Sequence, residues 1–142
     1  MTTAWRLVPW LNRLILAAPT AIFVLLTVTI FRDPVRSALD HGMSLISPVG
    51  FTNYRSGNGG IFLGFAVITV ACLISTRRHM VGLSFVAIMM GVILAVRAAS
   101  VLVDGTLPQE RPLLIAEAVF LALSGAGLAL EWARRRRLSD VA

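Results

Sequence analysis

Four apolar stretches, each about long enough to cross a membrane, constrain this chain more than any other feature. They run from about Leu14 to Phe31, Gly60 to Thr76, Met80 to Val103 and Pro112 to Trp132. A helix needs ~20 apolar residues to cross a ~30 Å hydrocarbon core, and each stretch is close to that. The first two carry no charge, the third is interrupted by Arg97, and the fourth contains Glu117. Lipid offers the backbone no hydrogen-bond partners, so such stretches must bond internally as helices. The polar and apolar alternation of a membrane barrel is absent. The expected fold is therefore all-α: a single domain over 1–142, an integral membrane bundle of four transmembrane helices (14–31, 60–76, 80–103 and 112–132), with residues 32–59 as an outer loop.

Composition agrees. At 57% hydrophobic and 14% charged over 142 residues, the chain lies outside the range of ordinary soluble domains. The first stretch exceeds a signal-peptide core in length, and Val28-Thr29-Ile30-Phe31 offers no small-residue cleavage site. It is expected to be a retained helix. Ahead of it, Trp5, Arg6, Leu7, Trp10 and Arg13 mix aromatic and basic residues as the headgroup layer favours, which predicts a stretch lying along the membrane surface.

The formal charge of +6 is unevenly placed. Arg6, Arg13, Arg77, Arg78 and Arg134, Arg135, Arg136 and Arg137 fall on one side of the predicted helices, against only Glu131 and Asp140. On the other side, Arg32, Arg36, Arg55 and Arg111 are balanced by Asp33, Asp40, Asp104 and Glu110. The positive-inside rule then puts both termini in the cytoplasm and the 32–59 loop in the periplasm of a bacterial inner-membrane protein. The Arg134 to Arg137 run reads as a topology anchor touching anionic lipid, not as a nucleic-acid site.

Within the 32–59 loop, Asp33-Pro34 has the form of an N-cap followed by proline at the first helical position, predicting a short helix to about Leu39. Ser47-Pro48-Val49-Gly50-Phe51 reads as a break, and Ser56-Gly57-Asn58-Gly59-Gly60 as an extended approach to the second helix. Small residues recur at the spacing that permits close helix approach: Gly60 and Gly64, then Gly91, Ala95 and Ala99, then Ala118, Ala122 and Ala126. These predict helix-packing faces, within the chain or toward another one.

Arg97 and Glu117 carry the sharpest signal. At 1.5 Å per residue, Arg97 lies ~10 Å below Asp104 and Glu117 ~7.5 Å below Pro112, so the two reach similar depth on an antiparallel helix hairpin. A lone charge at that depth costs a few kcal/mol, and facing opposite charges lower the cost. The prediction is an ion pair turned inward, with Asp104 on the same helical face as Arg97 and Arg55 able to join from above. Three roles stay open for it: a clamp that sets helix register, a polar pocket for a lipid headgroup, quinone-like molecule or other small amphiphile, and proton transfer through Glu117.

The run Asn53-Tyr54-Arg55-Ser56-Gly57-Asn58-Gly59-Gly60, followed by Arg97, Asp104-Gly105 and Glu117, resembles a family of bacterial four-helix membrane proteins known only as a domain of unknown function. The resemblance covers about Phe51 to Glu131 and departs from the family in the spacing of Asn53 and Arg55. It implies four helices and a polar cluster, and no reaction.

Other chemistries find no support. Cys72 is the one cysteine, His41 and His79 stand without a partner at metal-ligand spacing, and no catalytic triad or phosphate-cradling loop is present. No metal or cofactor is therefore expected, and an enzymatic activity stays open but unmotivated. The function classes left are binding of a small amphiphile near the periplasmic face and service as an accessory subunit of a larger membrane complex. Small-solute transport is weaker, because four helices with one charged pair leave little room for a path.

Overall fold

The computed structural model describes residues 3–139. Asp140 lies outside them, and so does the side chain of Arg6. All regular structure among the described residues is helical: α1 (Thr3–Arg32), α2 (Pro34–Asp40), α3 (Pro48–Tyr54), α4 (Gly60–Ile74), α5 (His79–Asp104) and α6 (Leu107–Ser139). A π-helical turn, Arg55–Gly59, joins α3 to α4, and a 3-10 turn, Thr76–Arg78, leads into α5. Four spans are long and apolar enough to cross a membrane: Leu7–Arg32, Pro48–Ile74, Thr76–Asp104 and Leu107–Ser139. Large apolar side chains stand exposed on all four, among them Leu25, Val67, Ile88 and Ile115. Leaving such surface in water would cost about 25 cal/mol per Å².

Two expectations about the first half of the chain are corrected. The segment ahead of Leu14 is not a separate surface element, because α1 runs unbroken from Thr3. The glycine-rich stretch before Gly60 is not extended: Pro48–Ile74 is helical throughout, with Ser47 as N-cap accepting from the Gly50 N–H at 3.2 Å and Pro48 opening the helix. What reads as a break is thus a helix start. The glycines then serve close approach: a Cβ on Gly59 would stand 2.8 Å from the Phe31 ring.

The chain divides into two compact units. In the first, Ala17–Ala71, Asp33 caps α2 by accepting from the Arg36 N–H at 3.0 Å. Ala38 packs with Ile30 and Tyr54, flanked by Leu45 and Phe62. The Tyr54 hydroxyl meets Ser37 Oγ at 3.3 Å, and Phe23, Phe62 and Phe65 pack with centroids 5.5–6.3 Å apart, Phe65 edge-on to the other two rings.

The second unit, Met1–Leu16 with Cys72–Ala142, is built around the α5–α6 hairpin. α5 ends because Gly105 adopts φ +68°, a left-handed conformation that glycine takes without a Cβ penalty, and its N–H returns to the Val101 carbonyl at 3.0 Å. α6 begins at Leu107, ahead of Pro112, and so brings Glu110 into its first turn. Near the other end of the hairpin the helices touch through glycine. A Cβ on Gly82 would fall 2.6 Å from Cys72 Cβ, and one on Gly127 would fall 3.0 Å from Asn12 Oδ1 and 3.1 Å from Leu83.

Within the chain, the tightest glycine contacts fall elsewhere than on the small residues expected to pack helices. A Cβ on Gly60 or Gly64 would meet nothing within 4 Å, and one on Gly91 would make only an ordinary 3.7 Å contact with Leu121. Ala95, Ala118 and Ala122 are exposed. Spacing of small residues identifies a face without saying what it meets.

Candidate functional site: two polar centres on one helix stripe

Along α6 a polar residue recurs every seventh position: Glu110, Glu117, Ser124 and Glu131. Seven residues are close to two helical turns, so the four share a face. Glu117, Ser124 and Glu131 are all buried, and the two ends of the stripe are built differently.

At the α5–α6 turn, Arg97 joins two carboxylates. Its Nε donates to Glu117 Oε1 at 2.8 Å and its Nη1 to Glu110 Oε2 at 2.5 Å. The two glutamates are two turns apart, ~10 Å along the helix, and the guanidinium bridges the gap. Glu117 is 9% exposed, and its second oxygen is buried without a hydrogen-bond partner. Beside this centre lies an open cleft of about 560 Å³. Val92, Ile93, Val96 and Val101 form its apolar wall, while Arg97, Ser100, Asp104, Thr106 and Glu110 give it a polar end.

Of the residues predicted for this site, the structure joins Arg97 to Glu117 and places Asp104 on the cleft beside Arg97. Arg55 belongs to the other unit, where it opens the π-helical turn with its Nε buried and unpartnered. Glu110 is a bonded member that the sequence does not point to: the apolar run suggests a helix starting at Pro112, which leaves Glu110 in a loop. The seven-residue interval from Glu110 to Glu117 is the signal that could have found it.

The opposite end of the hairpin holds a second centre that charge counting does not reveal. Glu131, which enters the sequence reading only as a charge on the predicted cytoplasmic side, is 0% exposed. Its carboxylate accepts from Arg134 Nε at 3.0 Å and Nη2 at 2.7 Å, from Arg135 Nε at 2.9 Å, and from Asn12 Nδ2 at 3.2 Å. Arg135 also donates from Nη2 to the Arg77 carbonyl at 2.8 Å, tying the end of α6 to the turn before α5. Asn12 and His79 are fully buried as well. Asn12 Oδ1 and Ser124 Oγ lack partners, and neither His79 ring nitrogen completes a hydrogen bond, although the Leu73 carbonyl acts on the ring.

The two centres differ in charge. The first sets Glu110 and Glu117 around one guanidinium, with Asp104 on the same cleft, so it carries excess negative charge. The second sets one carboxylate among several arginines, so it carries excess positive charge. Neither holds a nucleophile poised by a base, and no group of three or more His, Cys, Asp or Glu placed to hold a metal ion occurs among the described residues. No family model, curated protein or solved structure matches the chain, so what the site does has to be argued from its own residues.

Proposed function

We propose that the chain is a multi-pass protein of the bacterial inner membrane, with both termini in the cytoplasm, that binds a small amphiphile in the cleft beside Arg97. The single observation that carries this reading is the cleft itself: an apolar wall along α5 ending in a set of charged and hydroxyl side chains at one end of the hairpin. That division suits a molecule with a tail and a polar head. Because two carboxylates share one arginine whose Nε and Nη1 are already engaged, and Asp104 adds a third carboxylate to the cleft, the head that fits is neutral or carries an ammonium group. A bare phosphate or carboxylate would meet like charge there. Glu117 Oε2, buried without a donor, adds to the demand for a hydrogen-bond donor near the centre.

The orientation rests on the arginine excess at the α6 C-terminal end, which the positive-inside rule assigns to the cytoplasm and which leaves the cleft near the periplasmic face. A second reading, an accessory subunit of a larger complex, is favoured by one observation. Gly60, Gly64, Ala95, Ala118 and Ala122 lie where another chain could approach closely. Purification in a mild detergent separates the two readings. Amphiphile binding predicts a lone chain carrying about one stoichiometric small molecule identified by mass spectrometry. Stoichiometric protein partners and an empty cleft would replace it with the subunit reading.

A further inference from the structure

The four consecutive arginines at the end of α6 do not share one job. Arg134 and Arg135 turn inward and bind the buried Glu131 carboxylate, so both are already committed to a carboxylate. Arg136 and Arg137 are exposed and engage no carboxylate among the described residues; each instead lies over an indole. The Arg136 Cζ is 3.6 Å from the centroid of Trp132, and the Arg137 Cζ is 4.8 Å from that of Trp5 on α1. A third such pair stands nearby on α1, where the Arg13 Cζ is 4.9 Å from the Trp10 ring and Arg13 Nε is buried without a partner. Asn12 against Glu131 and Trp5 against Arg137 show that the start of α1 and the end of α6 run side by side in opposite directions, which places these pairs at one end of the unit.

A guanidinium lying over an indole keeps its planar fork of N–H donors free at the edge, the arrangement that grasps a phosphate with two parallel hydrogen bonds. Tryptophan also favours the membrane interface, where lipid phosphates lie. We infer that Arg136, Arg137 and Arg13, stacked on Trp132, Trp5 and Trp10, form a binding site for the phosphodiester of an anionic phospholipid, and that Arg134 and Arg135 are not part of it. The inference rests on the reading that these helices cross a bilayer; it does not depend on the cleft.

The test measures thermal unfolding of the purified full chain in a mild neutral detergent, with phosphatidylglycerol, phosphatidylcholine or inorganic phosphate added. Each protein is read against its own lipid-free midpoint. Phosphatidylglycerol is expected to raise the midpoint of the unaltered protein more than phosphatidylcholine does, and Arg136→Gln/Arg137→Gln is expected to lose at least half of that difference. Arg134→Gln/Arg135→Gln is expected to keep the difference while starting from a lower midpoint. Native mass spectrometry of the Arg136→Gln/Arg137→Gln protein should show fewer retained phosphatidylglycerol molecules, a readout that stands if the Arg134/Arg135 variant fails to fold. A full phosphatidylglycerol response in Arg136→Gln/Arg137→Gln would overturn the assignment, and so would an equal response to inorganic phosphate. A chain that extracts as a water-soluble protein would instead overturn the underlying reading that it spans a membrane.

Discussion

Replacing Glu131 with alanine is the sharpest perturbation of the packing described here. The carboxylate is fully buried and receives four hydrogen bonds, three of them from guanidinium groups. Removing one partner of a buried ion pair typically costs about 3–5 kcal/mol, mainly because the remaining charge is left without a counter-ion. Here the remaining charges have partial relief. The side chain of Arg135 is 39% exposed and can swing toward headgroups, whereas that of Arg134 is 17% exposed and is held more tightly. The lower end of the range, about 3 kcal/mol, is therefore expected. At roughly 2–4 °C per kcal/mol for a chain near this size, the unfolding midpoint in detergent should fall by about 6–12 °C. Glu131→Gln keeps the volume and one acceptor and should fall between the two. Glu131→Ala combined with Arg134→Ala and Arg135→Ala should recover part of the loss, because no unmatched charge is left behind. An unchanged midpoint for Glu131→Ala, or a triple variant no better than the single one, would refute the reasoning.

Three further outcomes follow from the same physics. Gly82→Ala and Gly127→Ala drive a methyl group into Cys72 Cβ and into Asn12 and Leu83, and should each cost about 1–3 kcal/mol in unfolding measurements. Gly60→Ala and Gly64→Ala meet open space within the chain and should stay within about 0.5 kcal/mol of the parent, unless a partner chain covers that face. Arg97→Leu alone leaves Glu110 and Glu117 facing each other and should lower the midpoint more than Arg97→Leu with Glu117→Leu, which removes a charge of each sign. For orientation, a Cys72→Ala background with Ile46→Cys or Ser139→Cys should react with a membrane-impermeant thiol reagent in intact cells only at residue 46; labelling confined to 139 would invert the topology.

Much of this was legible in the sequence, and the misses have physical causes. Membrane-crossing length is a property of composition, so four spans can be read directly from the apolar runs. Arg97 and Glu117 can be paired because both depths are counted from one hairpin turn. Helix ends are harder. Pro48 and Leu107 open their helices before the apolar runs begin, because capping at Ser47 and the chain reversal at Gly105 set those starts, not hydropathy. That is why Glu110 was missed. Glu131 was missed for a different reason: beside four arginines it looks solvated, and only the packing of Asn12 and Gly127 shows that the helix is still buried at that level. The small-residue pattern shows where a close approach is permitted, whereas within the chain the tightest glycine contacts fall on Gly59, Gly82 and Gly127.

The claim that the cleft beside Arg97 holds an amphiphile is tested most directly by filling it. Ser100 lines the cleft at an exposed position, so Ser100→Trp should occupy the space while leaving the Arg97 hydrogen bonds to Glu110 and Glu117 in place. Native mass spectrometry of the two proteins, purified in parallel in a mild detergent, should show about one small amphiphile bound per chain in the parent and none in Ser100→Trp, with similar unfolding midpoints. A parent chain that carries no such molecule, or a Ser100→Trp chain that carries as much of it as the parent, would contradict the account.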